Sequence, residues 1–191
     1  MAACSSLSAS TSLVRVSRTI RRSDTLDGFV VGLGEAWLLL AVLDHTIHLD
    51  GYAALRLGDV SEVERRGGPA TFVGRALAAR AQWPPVAVDV DLDSVAALVR
   101  SASEVAPLVT LHIEVRDPTV CFIGRPVRFT SRSVHPLEIS PQAEWEDHPT
   151  EWALPDVTRV EFGGRHEEAL ALIGGAPRRW SVRAEKAGRC R

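Results

Sequence analysis

The chain has almost no lysine: Lys186 stands alone against 21 arginines in 191 residues. That imbalance is the usual mark of a GC-rich coding sequence and points to a bacterial protein. Long apolar runs are missing as well. The longest uncharged one, residues 36–43, holds eight residues, whereas a helix that spans a bilayer takes about 20, so no contact with a membrane is expected. Cysteine is scarce and unpaired in spacing: Cys4, Cys121 and Cys190 form no C-x-x-C, which excludes a disulfide framework and suits a reducing cytoplasm. Cys121 lies between Val120 and Phe122 and reads as a small buried hydrophobe. Residues 1–23 have transit-peptide composition but lack the apolar stretch of a secretory signal, and read as an over-extended start. No G-x-S-x-G elbow and no P-loop occur, and Gly32-Leu33-Gly34 lacks the third glycine of a dinucleotide turn.

What is present is an ordinary globular composition, 46% hydrophobic and 24% charged, with mean hydropathy +0.03. The net charge of −2 conceals segregation. Residues 1–23 carry +4, residues 177–191 carry +5, and the body between them carries −11. A body of that sign repels phosphate backbones, so nucleic acid is expected to bind only weakly, through the basic tails.

Along the chain, alternation over residues 13–20 reads as an edge strand, and short apolar runs at 28–33, 37–43, 52–57 and 60–64 read as an antiparallel meander. Pro69 is placed to open a helix whose face is Phe72, Val73, Ala76, Leu77 and Ala81. A strand at 86–90 follows, then a helix capped by Asp93 or Ser94 with a stripe of Val95, Leu98, Val99, Ala102 and Ala106. Asp89, Asp91 and Asp93 read as one acidic strand face rather than a calcium loop. The second half gives strands at 108–115, 119–123, 127–130 and 137–139, and a helix at 167–173 closed by Gly174-Gly175.

Residues 57–64 (LGDVSEVE) match residues 154–161 (LPDVTRVE) at five of eight positions. Within each copy two valines stand three apart, which one flat strand would place on opposite faces. A short helical turn entering a last strand is expected instead, with Asp59 and Asp156 as caps. Residues 27–64, with Asp27-Gly-Phe-Val-Val-Gly32, the Trp37-Leu-Leu-Leu40 strand and the Asp59-Val-Ser-Glu-Val63 close, resemble the small SH3-like or Sm-like barrels of uncharacterised bacterial proteins. Residues 108–173 resemble a more divergent copy. The resemblance implies an α+β, β-rich chain of two barrel modules, an internal duplication, linked by two short helices. The segments expected are an N-terminal tail (1–12), a first module (13–68), a helical linker (69–107), a second module (108–175) and a basic tail (176–191).

Trp145 and Trp152 flank a polar stretch with His148, and aromatics in such a loop suit a recognition surface. With Asp59 and Asp156 they form the candidate binding set of a non-enzymatic binding or regulatory protein that takes another protein and needs no cofactor. Two alternatives stand beside it. In residues 44–50 (DHTIHLD), Asp44, His48 and Asp50 share one strand face and mix ligand types that a divalent metal accepts, the basis for a metal-assisted hydrolase. The resemblance itself implies the other, an RNA-binding Sm-like barrel.

Overall fold

The computed structural model describes residues 12–177. The tails read at 1–12 and 176–191 therefore lie, apart from Ser12, Ala176 and Pro177, outside the described residues, as do Cys4 and Cys190. Strands β1 (Leu13–Arg18), β2 (Leu26–Leu33), β3 (Trp37–Leu43), β4 (Leu49–Arg56) and β5 (Val60–Gly67) come first. Helices α1 (Phe72–Ala79) and α2 (Val95–Val105) follow. Then come β6 (Val109–His112), β7 (Cys121–Phe129), β8 (Ser133–Glu138), β9 (Trp152–Ala153), β10 (Arg159–Phe162) and helix α3 (Arg165–Gly174). No helix among the described residues is long and apolar enough to cross a membrane.

The ten strands make one antiparallel sheet in the order β5-β1-β2-β3-β4-β10-β6-β7-β8-β9. This overturns the expected pair of barrels joined by helices. The seam is β4 against β10, where Leu55 faces Arg159 and Ala53 faces Glu161, so the ladder passes from one half to the other without a break. Nor do the helices act as a linker. Helix α2 lays Leu98, Val99 and Ala102 into a core with Leu39, Ala54, Leu111 and Val160 from both halves.

A sheet with one covered face shows alternation, whereas β3 is buried along Trp37 to Ala41 on both sides. Its odd positions face α2. Leu38 and Leu40 face the other way, in a second cluster with Val14, Val16, Ala53 and Leu55. Strand β1 lies between β5 and β2 and is no edge. Residues 119–130 give one strand, β7, with a register shift between Pro126 and Arg128, rather than two. No strand forms at 86–90. That segment instead brings in Leu92, whose carbonyl accepts the Trp37 amide at 3.1 Å. Asp91 accepts the Asp93 amide in a local turn, and Asp93 accepts the Glu35 amide from the β2–β3 connection, so neither belongs to a strand face. Helix α1 starts after Thr71, which accepts the Gly74 amide, rather than at Pro69.

The expected helical turns are present at Leu57–Asp59 and Leu154–Asp156, each leading toward a strand that pairs with the first strand of its half. The aspartates do not cap them. Asp59 is held by Arg56 (Nε to Oδ2, 2.6 Å) and Asp156 by Arg116. In each turn the closing bond is the backbone one, from the Val60 and Val157 amides to the Leu57 and Leu154 carbonyls.

Candidate functional site

On the face turned away from α2, the registers of β10, β6 and β7 place Arg159, His112 and Cys121 in one row and Glu161, Thr110 and Ile123 in the next. Where the first half has leucine and alanine on this face, the second half has ionisable groups. Buried polar groups must be paired. Arg18 crosses from β1 to Glu114 in a bidentate ion pair with side chains 0% and 1% exposed. The Thr158 hydroxyl donates to the same carboxylate at 2.7 Å. Arg159 Nη2 approaches His112 Nδ1 at 2.9 Å, and a guanidinium can only donate, so Nδ1 holds the lone pair. Nε2 therefore carries the hydrogen and donates to Glu161 at 2.9 Å.

Burial pushes both carboxyls up, but their partners outweigh it. The Arg18 bonds and the Arg159 charge hold Glu114 below the usual carboxylate range, and the His112 hydrogen bond with Arg159 does the same for Glu161. Both ring nitrogens of His112 are engaged, so this network is a brace between strands and leaves no free base.

Beside the brace the face opens into a groove of two lobes that share Cys121, Ile123 and His166. The inner lobe, about 290 Å³, is walled by Asp50, Thr110, Glu161 and Glu167. The outer, about 350 Å³, has Phe122, Ile139 and Pro141 with Glu138 and Glu146. Gly51 and Gly163, both at φ +69°, turn the chain beside the inner lobe. A Cβ on Gly51 would lie 2.5 Å from the Gly164 amide nitrogen, and this close approach sets Asp50 against the start of α3.

There the Asp50 carboxylate accepts the Arg165 amide at 2.8 Å and its Nε at 3.2 Å. Glu167 is 8% exposed. Its Oε1 accepts the Thr110 hydroxyl at 2.6 Å, and its Oε2 has no hydrogen-bond partner among the described residues. Among the described residues no arginine or lysine lines either lobe, although five carboxylates do.

The residues singled out in the sequence fall in separate settings. Trp145 donates Nε1–H to the Gly174 carbonyl at 3.0 Å, and Trp152 donates to Glu138 at 2.9 Å while packing on Phe122. Both tryptophans are half-buried and lie back on their own fold, and His148 is exposed between them. Asp59 and Asp156 belong to the two turns. Asp44 accepts the Thr46 and His48 amides and, like Asp50, pairs with Arg165. Burial raises the Asp44 carboxyl, yet these bonds bring it far below the usual range. Among the described residues no group of three or more His, Cys, Asp or Glu is placed to hold a metal.

Cys121 is exposed rather than buried, because it opens β7 at the groove. Partial desolvation and then the Glu161 charge raise its thiol above the ordinary value, which keeps it protonated at neutral pH. Sequence reasoning missed Thr110, Glu161, His166 and Glu167. A signal existed: Thr110, His112 and Glu114 alternate inside the apolar run 108–115, a row of polar groups on one strand face.

Compared with known proteins, the chain matches no family model, no curated protein and no solved structure.

Proposed function

We propose that this is a non-enzymatic binding protein whose acidic, apolar-floored groove takes a basic, extended segment of another protein. One observation carries the reading: in a chain so rich in arginine, a groove with five carboxylates has no arginine or lysine in its wall among the described residues. Cationic side chains with aliphatic stems complement such a surface, the stems on Ile123, Ile139 and Pro141 and the charges on Glu138, Glu146 and Glu167, since Asp50 and Glu161 already pair with Arg165 and Arg159. The same sign of charge disfavours a phosphate backbone. The pairing of Asp44 and Asp50 with Arg165 disfavours a metal-assisted hydrolase at that loop.

The test is calorimetric titration of the full chain with a basic peptide and with an acidic one of equal length, in low and physiological salt. The basic peptide should bind, weaken as salt rises, and weaken further against Glu146→Lys at the rim. Equal binding of both peptides, or indifference to Glu146→Lys, overturns the proposal.

A further inference from the structure

The inner lobe differs from the outer in how its carboxylates are already used. Glu167 gives one oxygen to the Thr110 hydroxyl and keeps the other unpartnered, although the residue is only 8% exposed. Glu161 gives Oε2 to His112, and its Oε1 lies 3.3 Å from Arg159 Nε. Asp50 gives Oδ1 to the Arg165 amide and Nε. These three carboxylates come from β10, the start of β4 and the first turn of α3. None presents two free coplanar oxygens.

A guanidinium is recognised best by such a coplanar pair, whereas an ammonium is a compact charge whose three hydrogens can each go to a different acceptor. Glycine at 164 belongs to the same arrangement, since a Cβ there would meet Glu167 Oε2 at 2.6 Å and drive the carboxylate from its place. Val42 and Ile123 supply the apolar wall that an alkyl stem needs.

We infer that the inner lobe is a pocket for a primary ammonium on an alkyl stem, a lysine side chain of the bound segment, with Glu167 as its principal acceptor. This rests on the groove being a docking site for a basic segment and adds the identity of the anchoring residue.

The experiment follows backbone amide shifts of the full chain on titration with Nα-acetyl-lysine amide and, separately, Nα-acetyl-arginine amide. The lysine probe should shift Thr110, Gly164 and Glu167 and bind about tenfold more tightly than the arginine probe. Glu167→Gln should abolish that preference, and Glu146→Gln in the outer lobe should leave it intact. Because Glu167 is buried, unchanged shifts across β1 to β4 verify that the variant is folded. Should it unfold, Gly164→Ala, which displaces the same carboxylate, takes its place and should abolish the preference too.

Equal affinity for the two probes, or a lysine preference that survives Glu167→Gln, overturns the inference. The two readings can fail separately. Peptides that bind without preferring lysine defeat only the anchor pocket. A lysine probe that binds where no basic peptide does defeats the docking reading and leaves the inner lobe a pocket for a free alkylammonium.

Discussion

Arg18 interrupts the alternation of β1 because its guanidinium passes inward to Glu114 instead of outward to water. The cost of such a buried pair appears in the Nε atoms of Arg18 and Arg159, which are buried with no hydrogen-bond partner. Removing one member leaves the other charge unpaired, so Glu114→Ala should lower stability by about 3–5 kcal/mol in urea denaturation, whereas Glu114→Gln, which keeps an acceptor, should cost less. The pH dependence has a definite sign. The folded-state carboxyls of Glu114 and Glu161 lie below their unfolded values, so their contribution is full above the ordinary carboxylate pKa of about 4.3 and is lost as pH falls through the lowered value. The urea midpoint should therefore drop on acidification below that point, and more shallowly in Glu114→Gln. Cys121 behaves oppositely. With its pKa raised, alkylation in a variant with Cys4 and Cys190 changed to serine should be slow at neutral pH and rise only above the ordinary thiol value of about 8.5. Fast labelling at pH 7 would refute that environment.

Between residue and molecule, the helices separate by what they cover. Ser94 accepts the Ala97 amide at the start of α2, and Thr71 does the same for Gly74 at the start of α1. Loss of either cap costs about 0.5–2 kcal/mol, and Ser94→Ala should lie nearer the upper end because α2 closes the main core, whereas α1 buries little beyond Leu77. Thermal melts of the two variants compare them directly, and equal losses would contradict this ordering.

The Ser94 cap, the α2 stripe and the turns before β5 and β10 were legible because each is fixed by chemistry within a few residues, whereas the Thr71 start of α1 and the arginine partners of Asp59 and Asp156 were not. The union of the halves was not. It depends on β4 meeting β10, about a hundred residues apart, and nothing in Leu49–Arg56 or Arg159–Phe162 names its partner. The groove was hidden for a related reason. Its carboxylates converge from β4, β8, the β8–β9 connection, β10 and α3, while the residues that stood out locally, Trp145, Trp152 and the 44–50 loop, spend their polar atoms on their own fold.

At the scale of the whole molecule, the order of strands in the first half, β5-β1-β2-β3-β4, recurs in the second as β10-β6-β7-β8-β9. Two units built alike could be expected to unfold independently, but four features tie them. Four residue pairs along β4 and β10 continue the ladder across the seam. Helix α2 buries Leu98, Val99 and Ala102 against strands of both halves. Arg18 and Glu114 close the opposite face across 96 residues of sequence, and Arg56, which holds Asp59 of one turn, also donates to the Pro155 carbonyl of the other at 2.9 Å. Opening either half alone would expose the shared core and strand at least one of these charges, so neither half has a low-energy route to unfold by itself. Fluorine-labelled tryptophan resolves the matter, since Trp37 reports from β3 and Trp152 from β9. Their signals should disappear at the same urea concentration, and Glu114→Ala should move both together. Two separated midpoints, or a Trp152 transition that shifts while that of Trp37 stays, would show that the seam does not couple the halves.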